Sequence, residues 1–192
     1  MNIIPAVSIS NYDGIKNFDL ISLLLSERII MLVGEIDDEI SNIIVSELLY
    51  LNAISPEEKI TIYINSPGGS VTAGFAIYDV MKNISCPIET IGLGMCASMA
   101  AFLLSSGSPG LRKAYDNCEI MIHQPLGGSN GQVSDIEIMT KRYIFLKNKI
   151  SEILSHNTSQ PLEKIIKDTD RNYFLSSSEA LSYHLIDNII KK

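Results

Sequence analysis

The chain has 192 residues, of which 46% are hydrophobic and 19% charged, and its net charge is -7. This composition fits one globular domain that buries a core without disulfides or metal ions. An acidic chain lacks the basic surface that phosphate backbones and anionic membranes attract, so we expect neither nucleic acid nor a membrane as a partner.

The cysteines and the N-terminus indicate the compartment. Cys86, Cys96 and Cys118 are odd in number and have no C-x-x-C spacing, which disfavours both a disulfide framework and a zinc site. The N-terminal segment has no basic region followed by a long apolar stretch, and no apolar run reaches the roughly 18 residues of a membrane span. We therefore expect a cytoplasmic protein.

The N-terminal half alternates short strands and helices. Residues 1–16 are apolar but unperiodic and contain several helix breakers, so we predict an extended arm or loop there. Periodicity and turn signals then predict, in chain order, a helix over 17–28, a strand over 29–33, a helix from Asp37 or Asp38 to 53, a strand over 60–65, a glycine loop over 66–70 and a helix over 71–84.

The C-terminal half continues this alternation. The predicted elements are a strand over 87–94, a helix over 97–106, strands over 111–115 and 119–123, a long amphipathic helix over 133–156, a helix from Pro161, a strand over 173–175 and a helix begun by the capping box of Ser176 and Glu179. Strands, tight glycine turns and helices in alternation predict an α/β fold on a largely parallel sheet. The long helix is expected to project and pack against a neighbour.

Ser98 is the first candidate for chemistry. It follows a predicted strand and two glycines, near the first turn of a helix, in GLGMCASMA. A serine at such a corner is exposed, and nearby backbone N–H groups can serve as oxyanion donors. The segment lacks the full G-x-S-x-G motif, so the residues alone leave two interpretations open, a nucleophile and a small packing residue.

His123 is the candidate base. It ends the apolar segment EIMIH, where the chain must leave the strand before Pro125. A histidine at a strand end can reach a neighbouring crossover, as a general base must, although a buried structural histidine is the alternative. The other two histidines, His156 and His184, lie in polar helical stretches and are expected at the surface.

Three further features leave alternatives open. The loop Ser66 to Ser70 (SPGGS) is either an oxyanion hole or a plain crossover turn, and it matches no phosphate or dinucleotide motif. Asp168 and Asp170 are either candidates for the acidic third residue of a catalytic site, which would bond to the histidine, or charged side chains exposed to solvent. Cys96 is a rival nucleophile, but its sequence neighbours supply nothing to lower its pKa.

Several segments of the chain match one known family. They are YINSPGGSV, GMCASMAAFLL, EIMIHQPLGG, GQ followed by SDIEI, SQPLEKI, KDTDR and the final LID, within about residues 27–189. Together they resemble the ClpP family of serine peptidases, which stack in heptameric rings and work with Clp-type AAA+ ATPases. The resemblance implies a ClpP/crotonase-like fold with an axial arm over 1–16, one peptidase domain over 17–192 and a projecting strand-plus-helix handle over 124–160.

The resemblance also implies residue roles. Ser98 matches the nucleophile, His123 the base, and the backbone N–H groups of Gly69 and Met99 the oxyanion hole. Asp170 and Arg171 match a contact between rings. No cofactor and no metal are implied.

One departure concerns the third catalytic position. The family pattern DTDRD is DTDRN here, so the implied triad is Ser98, His123 and Asn172. An Asn oxygen accepts a hydrogen bond from the histidine but carries no charge to stabilise the imidazolium, and the same change costs about 10⁴-fold in kcat in the serine-protease template. We expect low intrinsic activity.

Three functions remain in competition. The first is a peptidase subunit of a homo-oligomeric, heptameric or tetradecameric ring that degrades unfolded polypeptides fed by a Clp-type ATPase. The second is a mainly structural or regulatory subunit in mixed rings with a more active paralogue. The third is a crotonase-like enzyme acting on acyl-CoA thioesters, which the lack of a carboxylate pair near the oxyanion glycines disfavours. An altered arm motif, Asp13-Gly14-Ile15-Lys16, puts the ATPase contact in question.

Overall fold

The computed structural model describes residues 5–11 and 14–191. The chain begins with an antiparallel hairpin of β1 (Ala6–Asn11) and β2 (Gly14–Asp19), followed by α1 (Leu20–Ser26). The arm predicted over residues 1–16 is thus extended where it is described, while residues 1–4, 12 and 13 lie outside the described ranges. The helix predicted from residue 17 begins at Leu20 instead, because Asp19 caps it by accepting from the Ser22 N–H at 2.8 Å.

The predicted alternation of strands and helices continues beyond residue 28. The strands are β3 (Ile29–Val33), β4 (Ile60–Ser66), β5 (Ile88–Ala97), β6 (Arg112–Tyr115), β7 (Glu119–Ile122), β8 (Tyr173–Leu175) and β9 (Asn188–Ile190). The helices are α2 (Asp38–Ile54), α3 (Val71–Asn83), α4 (Met99–Leu104), α5 (Val133–Thr158), α6 (Leu162–Asp168) and α7 (Ser177–Ser182). The predicted capping box of Ser176 and Glu179 begins α7 and is confirmed.

The central sheet is mostly parallel, as predicted. Its main path is β3-β4-β5-β6-β9, and all neighbours along it are parallel. The long strand β5 changes partner: residues 90–92 pair with β6, while residues 95–97 pair with β7, which in turn pairs with the antiparallel strand β8. Since β4, β5 and β7 run parallel, their carboxyl ends meet at the same edge of the sheet.

One face of the sheet carries the core. Alternate residues of β3 and β4 are almost fully buried beneath the helices, as period-2 alternation requires: Ile30, Leu32, Ile60, Ile62 and Ile64. The intervening residues on the opposite face, among them Met31 and Tyr63, are only half-buried. The packed core therefore holds the strands and their ends in place, while the side chains on the second face of the sheet stay partly exposed to solvent.

Helix α5 projects, as its length predicted. Its 26 residues span about 39 Å at 1.5 Å per residue. Its buried residues all lie in the second half, from Ile150 to Thr158, whereas Val133 and Ile138 in the first half are 73% and 63% exposed. Residues 123–132 before it form neither strand nor helix, so the strand that the resemblance implies for the handle is not formed among the described residues.

Two structural observations concern membranes and metals. Within residues 5–11 and 14–191, none of the helices combines the length and apolarity that crossing a bilayer requires. The same described part of the chain holds no cluster of three or more His, Cys, Asp or Glu side chains with the spacing of a metal site.

Candidate active site

The carboxyl edge of the sheet brings the candidate residues together. Ser98 follows β5, His123 follows β7, and the glycine loop follows β4. The His123 Nε2 atom lies 2.9 Å from the Ser98 Oγ atom, and the His123 Nδ1 atom lies 3.0 Å from the Asn172 Oδ1 atom. The three side chains thus form a continuous hydrogen-bonded line.

Ser98 has a strained backbone. Its φ and ψ are 57° and -121°, a combination that side-chain-bearing residues rarely adopt and that costs about 1–3 kcal/mol. Its backbone N–H donates to the Met121 carbonyl of β7 at 2.8 Å, which holds the corner against the strand carrying the base. Ser98 is the N-cap of α4, yet its hydroxyl makes no capping bond and instead faces His123. Strain at a strand-to-helix corner is typical of an exposed nucleophile.

The β7–β8 pairing places Asn172 at the histidine. In the antiparallel register Ile122 pairs with Tyr173, so the next residues outward, His123 and Asn172, stand opposite each other. With its proton on Nδ1, His123 donates to the Asn172 oxygen and leaves Nε2 free to accept from the Ser98 hydroxyl. The geometry therefore accommodates the tautomer that a general base needs.

The glycine loop packs directly against the serine corner. A Cβ on Gly68 would lie 2.6 Å from the Ala97 oxygen and 2.7 Å from the Ser98 Cβ, and the φ of Gly68 is +92°. Only glycine allows this close approach. The loop therefore lies directly beside the Ser98 corner.

Two backbone N–H groups are available near Ser98. The Ile36 N–H donates to the Gly68 oxygen and the Ser70 N–H donates to the Ile36 oxygen, so the Gly69 N–H between them takes no part in that bridge. Met99 is the first residue of α4, and N–H groups in a first helical turn have no intrahelical acceptor. These are the two donors that the resemblance implies for the oxyanion hole.

A cleft opens over Ser98 and His123. Its volume is about 670 Å³, and its walls come from the glycine loop, residues 125–126 and three residues of α5, namely Arg142, Tyr143 and Leu146. Behind Ser98 a much smaller apolar pocket of about 10 Å³ is lined by Val71, Met99, Phe102, Ile122, Pro125, Ile150 and Leu154. The cleft is open enough for an extended chain to lie across Ser98, whereas the pocket behind it has room for about one water molecule.

The other acidic candidates lie away from the histidine. The Asp168 carboxylate accepts from Lys164 and from the Tyr183 hydroxyl, each at 2.8 Å. The Asp170 carboxylate oxygen Oδ1 lies 3.3 Å from the Gln124 Nε2 atom. Neither carboxylate occupies the position that Asn172 holds at His123. The Asp170 and Arg171 side chains are 59% and 88% exposed, and their role as a ring contact stays a prediction.

The rival nucleophile and the other histidines do not reach the cleft. Cys96 is fully buried, and its thiol donates to the Ile64 carbonyl at 3.2 Å. The neighbouring Cys118 thiol, together with burial, raises the pKa of Cys96, which opposes thiolate formation. His156 and His184 are exposed, as the sequence predicted.

Sequence reasoning missed one feature of the site. Gln124 directly follows His123. Its backbone N–H donates to the Thr169 backbone oxygen at 2.6 Å, and its side-chain Nε2 donates to the Asp170 backbone oxygen at 2.8 Å. The two segments are 46 residues apart in the chain, and no local pattern relates them. The only signal in the sequence is the motif HQP, which places a polar residue directly after His123.

The fold and the site define a class of protein. A strained serine corner, a histidine within hydrogen-bond distance of the serine and a side-chain oxygen behind the histidine, on a parallel sheet, form the arrangement of serine hydrolases. The sequence matches the family model described as Clp protease over residues 12–192. The chain therefore belongs to the Clp protease family, which confirms the ClpP resemblance and the ClpP-like fold class and supports a serine peptidase of protein degradation in general.

Proposed function

We propose that this chain is a serine endopeptidase subunit that cleaves unfolded polypeptides through Ser98 inside an ATP-dependent protease ring. The observation that carries the proposal is the line from Ser98 through His123 to Asn172, with separations of 2.9 and 3.0 Å. Family membership supports heptameric rings and a Clp-type AAA+ ATPase as partners. The three free cysteines support a cytoplasmic location.

The geometry supports one sequence of steps. The Ser98 hydroxyl attacks the scissile carbonyl while His123 Nε2 accepts its proton, and the Gly69 and Met99 N–H groups stabilise the developing oxyanion. His123 then protonates the leaving amine, which leaves an acyl group on Ser98. A water molecule, deprotonated by His123, hydrolyses this ester and restores the serine.

Asn172 limits this chemistry. When His123 takes the proton it becomes a cation, and the neutral Asn172 oxygen offers a dipole where a carboxylate offers a full charge. Hydrogen bonds to ionised groups are roughly twice as strong as neutral ones. We therefore expect Ser98 to react slowly in the isolated chain and to depend on assembly or a partner for full activity.

Restoring the carboxylate tests this account. Asn172→Asp should raise kcat for a fluorogenic peptide, by up to about 10⁴-fold if charge is the whole deficit. Ser98→Ala should abolish hydrolysis in both backgrounds, which controls for contaminating peptidases. No gain from Asn172→Asp in any assembly state would contradict the assignment of the third position.

A second candidate is a structural or regulatory subunit of mixed rings with a more active paralogue. The neutral Asn172 behind the base favours it. Native mass spectrometry of a mixture with such a paralogue should then show mixed rings whose activity is unchanged by Ser98→Ala in this chain. A loss of activity in those rings would favour the first candidate, and the absence of mixed rings would count against the second.

A further inference from the structure

Gln124 links the base to the segment that carries Asn172. It directly follows His123, and its backbone N–H donates to the Thr169 oxygen at 2.6 Å. Its side-chain Nε2 donates to the Asp170 backbone oxygen at 2.8 Å and lies 3.3 Å from the Asp170 carboxylate oxygen Oδ1. One residue thus joins the two segments that must stay in register for His123 to meet Asn172.

Beyond Thr169 and Asp170, the segment that leads to Asn172 has few other anchors. Thr169 is buried, and its N–H and hydroxyl donate to the Ile165 oxygen at 2.9 and 2.7 Å, while the Asp170 N–H donates to the Lys167 oxygen at 3.4 Å. Helix α6 ends at Asp168 and β8 begins only at Tyr173, so residues 169–172 form an irregular connection. Asp170, Arg171 and Asn172 are exposed, and the β7–β8 pairing stops at Ile122 and Tyr173. The bonds from Gln124 lie just beyond the end of that pairing. They hold residues 169 and 170, which precede Asn172 in the chain.

A neutral acceptor makes this support more important. A carboxylate presents two equivalent oxygens and attracts the histidine by charge, whereas an amide presents one oxygen, and a rotated amide presents N–H instead. The bond between His123 and Asn172 has weaker means of aligning itself than a bond to Asp would have. Its geometry depends correspondingly on the surrounding backbone.

We propose that Gln124 is a positioning residue, whose side chain holds the Asn172 oxygen at the His123 Nδ1 atom through its bonds to Asp170. This inference rests on the proposed function. It has a consequence special to this chain: losing the Gln124 side chain harms an enzyme with Asn172 more than one with Asp at that position.

A double-mutant cycle tests the inference. The rate of covalent labelling of Ser98 by a fluorophosphonate probe is measured, with kcat and KM for a fluorogenic peptide, in wild type, Gln124→Ala, Asn172→Ala and the double variant. Gln124→Ala should lower kcat and the labelling rate by about 10- to 100-fold with little change in KM, the scale of a small misplacement of catalytic groups. In the Asn172→Ala background the same substitution should have no further effect, because the group that it positions is gone.

A second background and two further variants make the double-mutant test more specific. In Asn172→Asp, the loss caused by Gln124→Ala should be smaller than in wild type. Gln124→Glu keeps the size of the side chain but sets a carboxylate against the Asp170 oxygens, so it should behave like Gln124→Ala and serves where alanine impairs folding. Gln160→Ala is the matched control, since Gln160 makes a similar side-chain bond to the Tyr183 oxygen, 3.3 Å long, at another place.

The outcomes separate the inference from the function it rests on. Equal labelling of wild type and Gln124→Ala, or an equal loss in the presence and absence of the Asn172 side chain, overturns the positioning role while the proposed function stands. If neither wild type nor Asn172→Asp is labelled at Ser98, the proposed function fails and the inference falls with it.

Discussion

Ser98 carries a cost in conformational energy that a packing residue would not need. Its φ of 57° lies in the left-handed region, and its hydroxyl makes no capping bond that would offset the strain. Such strain persists only where surrounding structure imposes it, and it concentrates at functional sites. At the scale of single residues, the strained corner is therefore the strongest physical support for a nucleophile.

The strain at Ser98 can be measured. Ser98→Gly and Ser98→Ala both remove the hydroxyl, but only glycine relaxes at a φ of 57°. We expect Ser98→Gly to exceed Ser98→Ala by about 1 kcal/mol in free energy of unfolding, with both inactive. Chemical denaturation of the two variants in the same assembly state provides the comparison, and equal stabilities would argue against strain.

Glu89 gives the molecule a pH dependence at another single position. Burial raises the pKa of this carboxyl, but ion pairs of 2.8 Å with Lys113 and Lys59 outweigh burial and lower its pKa from 4.5 to about 2. The folded-state pKa is depressed, so the stabilisation is complete above pH 4.5 and is lost as the pH falls toward 2.

The Glu89 ion pairs can be tested by titrating stability. Between pH 6 and pH 2.5, wild type should lose about 1–3 kcal/mol more than Glu89→Gln, since the glutamine variant has no carboxyl to protonate. Urea unfolding at each pH measures the difference. Parallel curves for the two proteins would show that Glu89 has no coupling to folding.

The loop between β4 and α3 shows how one element shapes another. Gly68 approaches the backbone of the β5–α4 corner so closely that a methyl group would meet both Ala97 and Ser98. Backbone atoms cannot rotate away as a flexible side chain can, so the loop and the corner must move together. The loop that carries Gly69, a candidate donor of the oxyanion hole, is therefore held by contact with the turn that carries Ser98.

A pair of glycines separates steric contact from backbone strain. Gly68 and Gly110 have similar φ values of +92° and +83°, but a Cβ on Gly110 would meet no atom within 4 Å. Gly110→Ala should cost about 1 kcal/mol from strain alone, while Gly68→Ala should cost several times more and slow fluorophosphonate labelling of Ser98. Unfolding and labelling measurements check both effects, and equal behaviour of the two variants would contradict the steric account.

Among the described residues, apolar surface is exposed at several places, and two of them bear on assembly. Parallel sheets are usually covered on both faces, yet the face with Tyr63 is only half-buried in this chain. Helix α5 projects with Ile138, Ile144 and Phe145 at 63%, 54% and 66% exposure. Large exposed apolar areas are typical of interaction surfaces, which agrees with the proposal that the chain works as part of a ring.

The projecting helix can be tested for a role in assembly. Phe145→Lys removes a large exposed apolar side chain, so it should lower the population of the largest oligomer in native mass spectrometry while leaving the protomer folded. Asn148→Lys, which adds the same charge at an exposed polar position of the same helix, should have a smaller effect. An unchanged oligomer distribution for Phe145→Lys would place the assembly surface elsewhere.

The sequence by itself determined the order and type of nearly every element beyond residue 28, because period-2 and period-3.6 patterns, glycine turns and caps such as Asp37 and Ser176 act over a few neighbouring residues. It also singled out Ser98 and His123 as candidates, since Ser98 stands near the first turn of the helix that follows a predicted strand and His123 stands at the end of another. Their residue types and positions in the strand–turn–helix pattern were enough for this.

Only the tertiary structure decided which of these residues meet. Asn172 stands opposite His123 because β8 pairs with β7 in one register, and Gln124 reaches Asp170 across 46 residues for the same reason. The positive φ of Ser98 and the contact of Gly68 with its corner likewise arise where β4 and β5 end side by side. Strand pairing between distant segments is set by the packing of the whole core, and no local pattern in the chain encodes it.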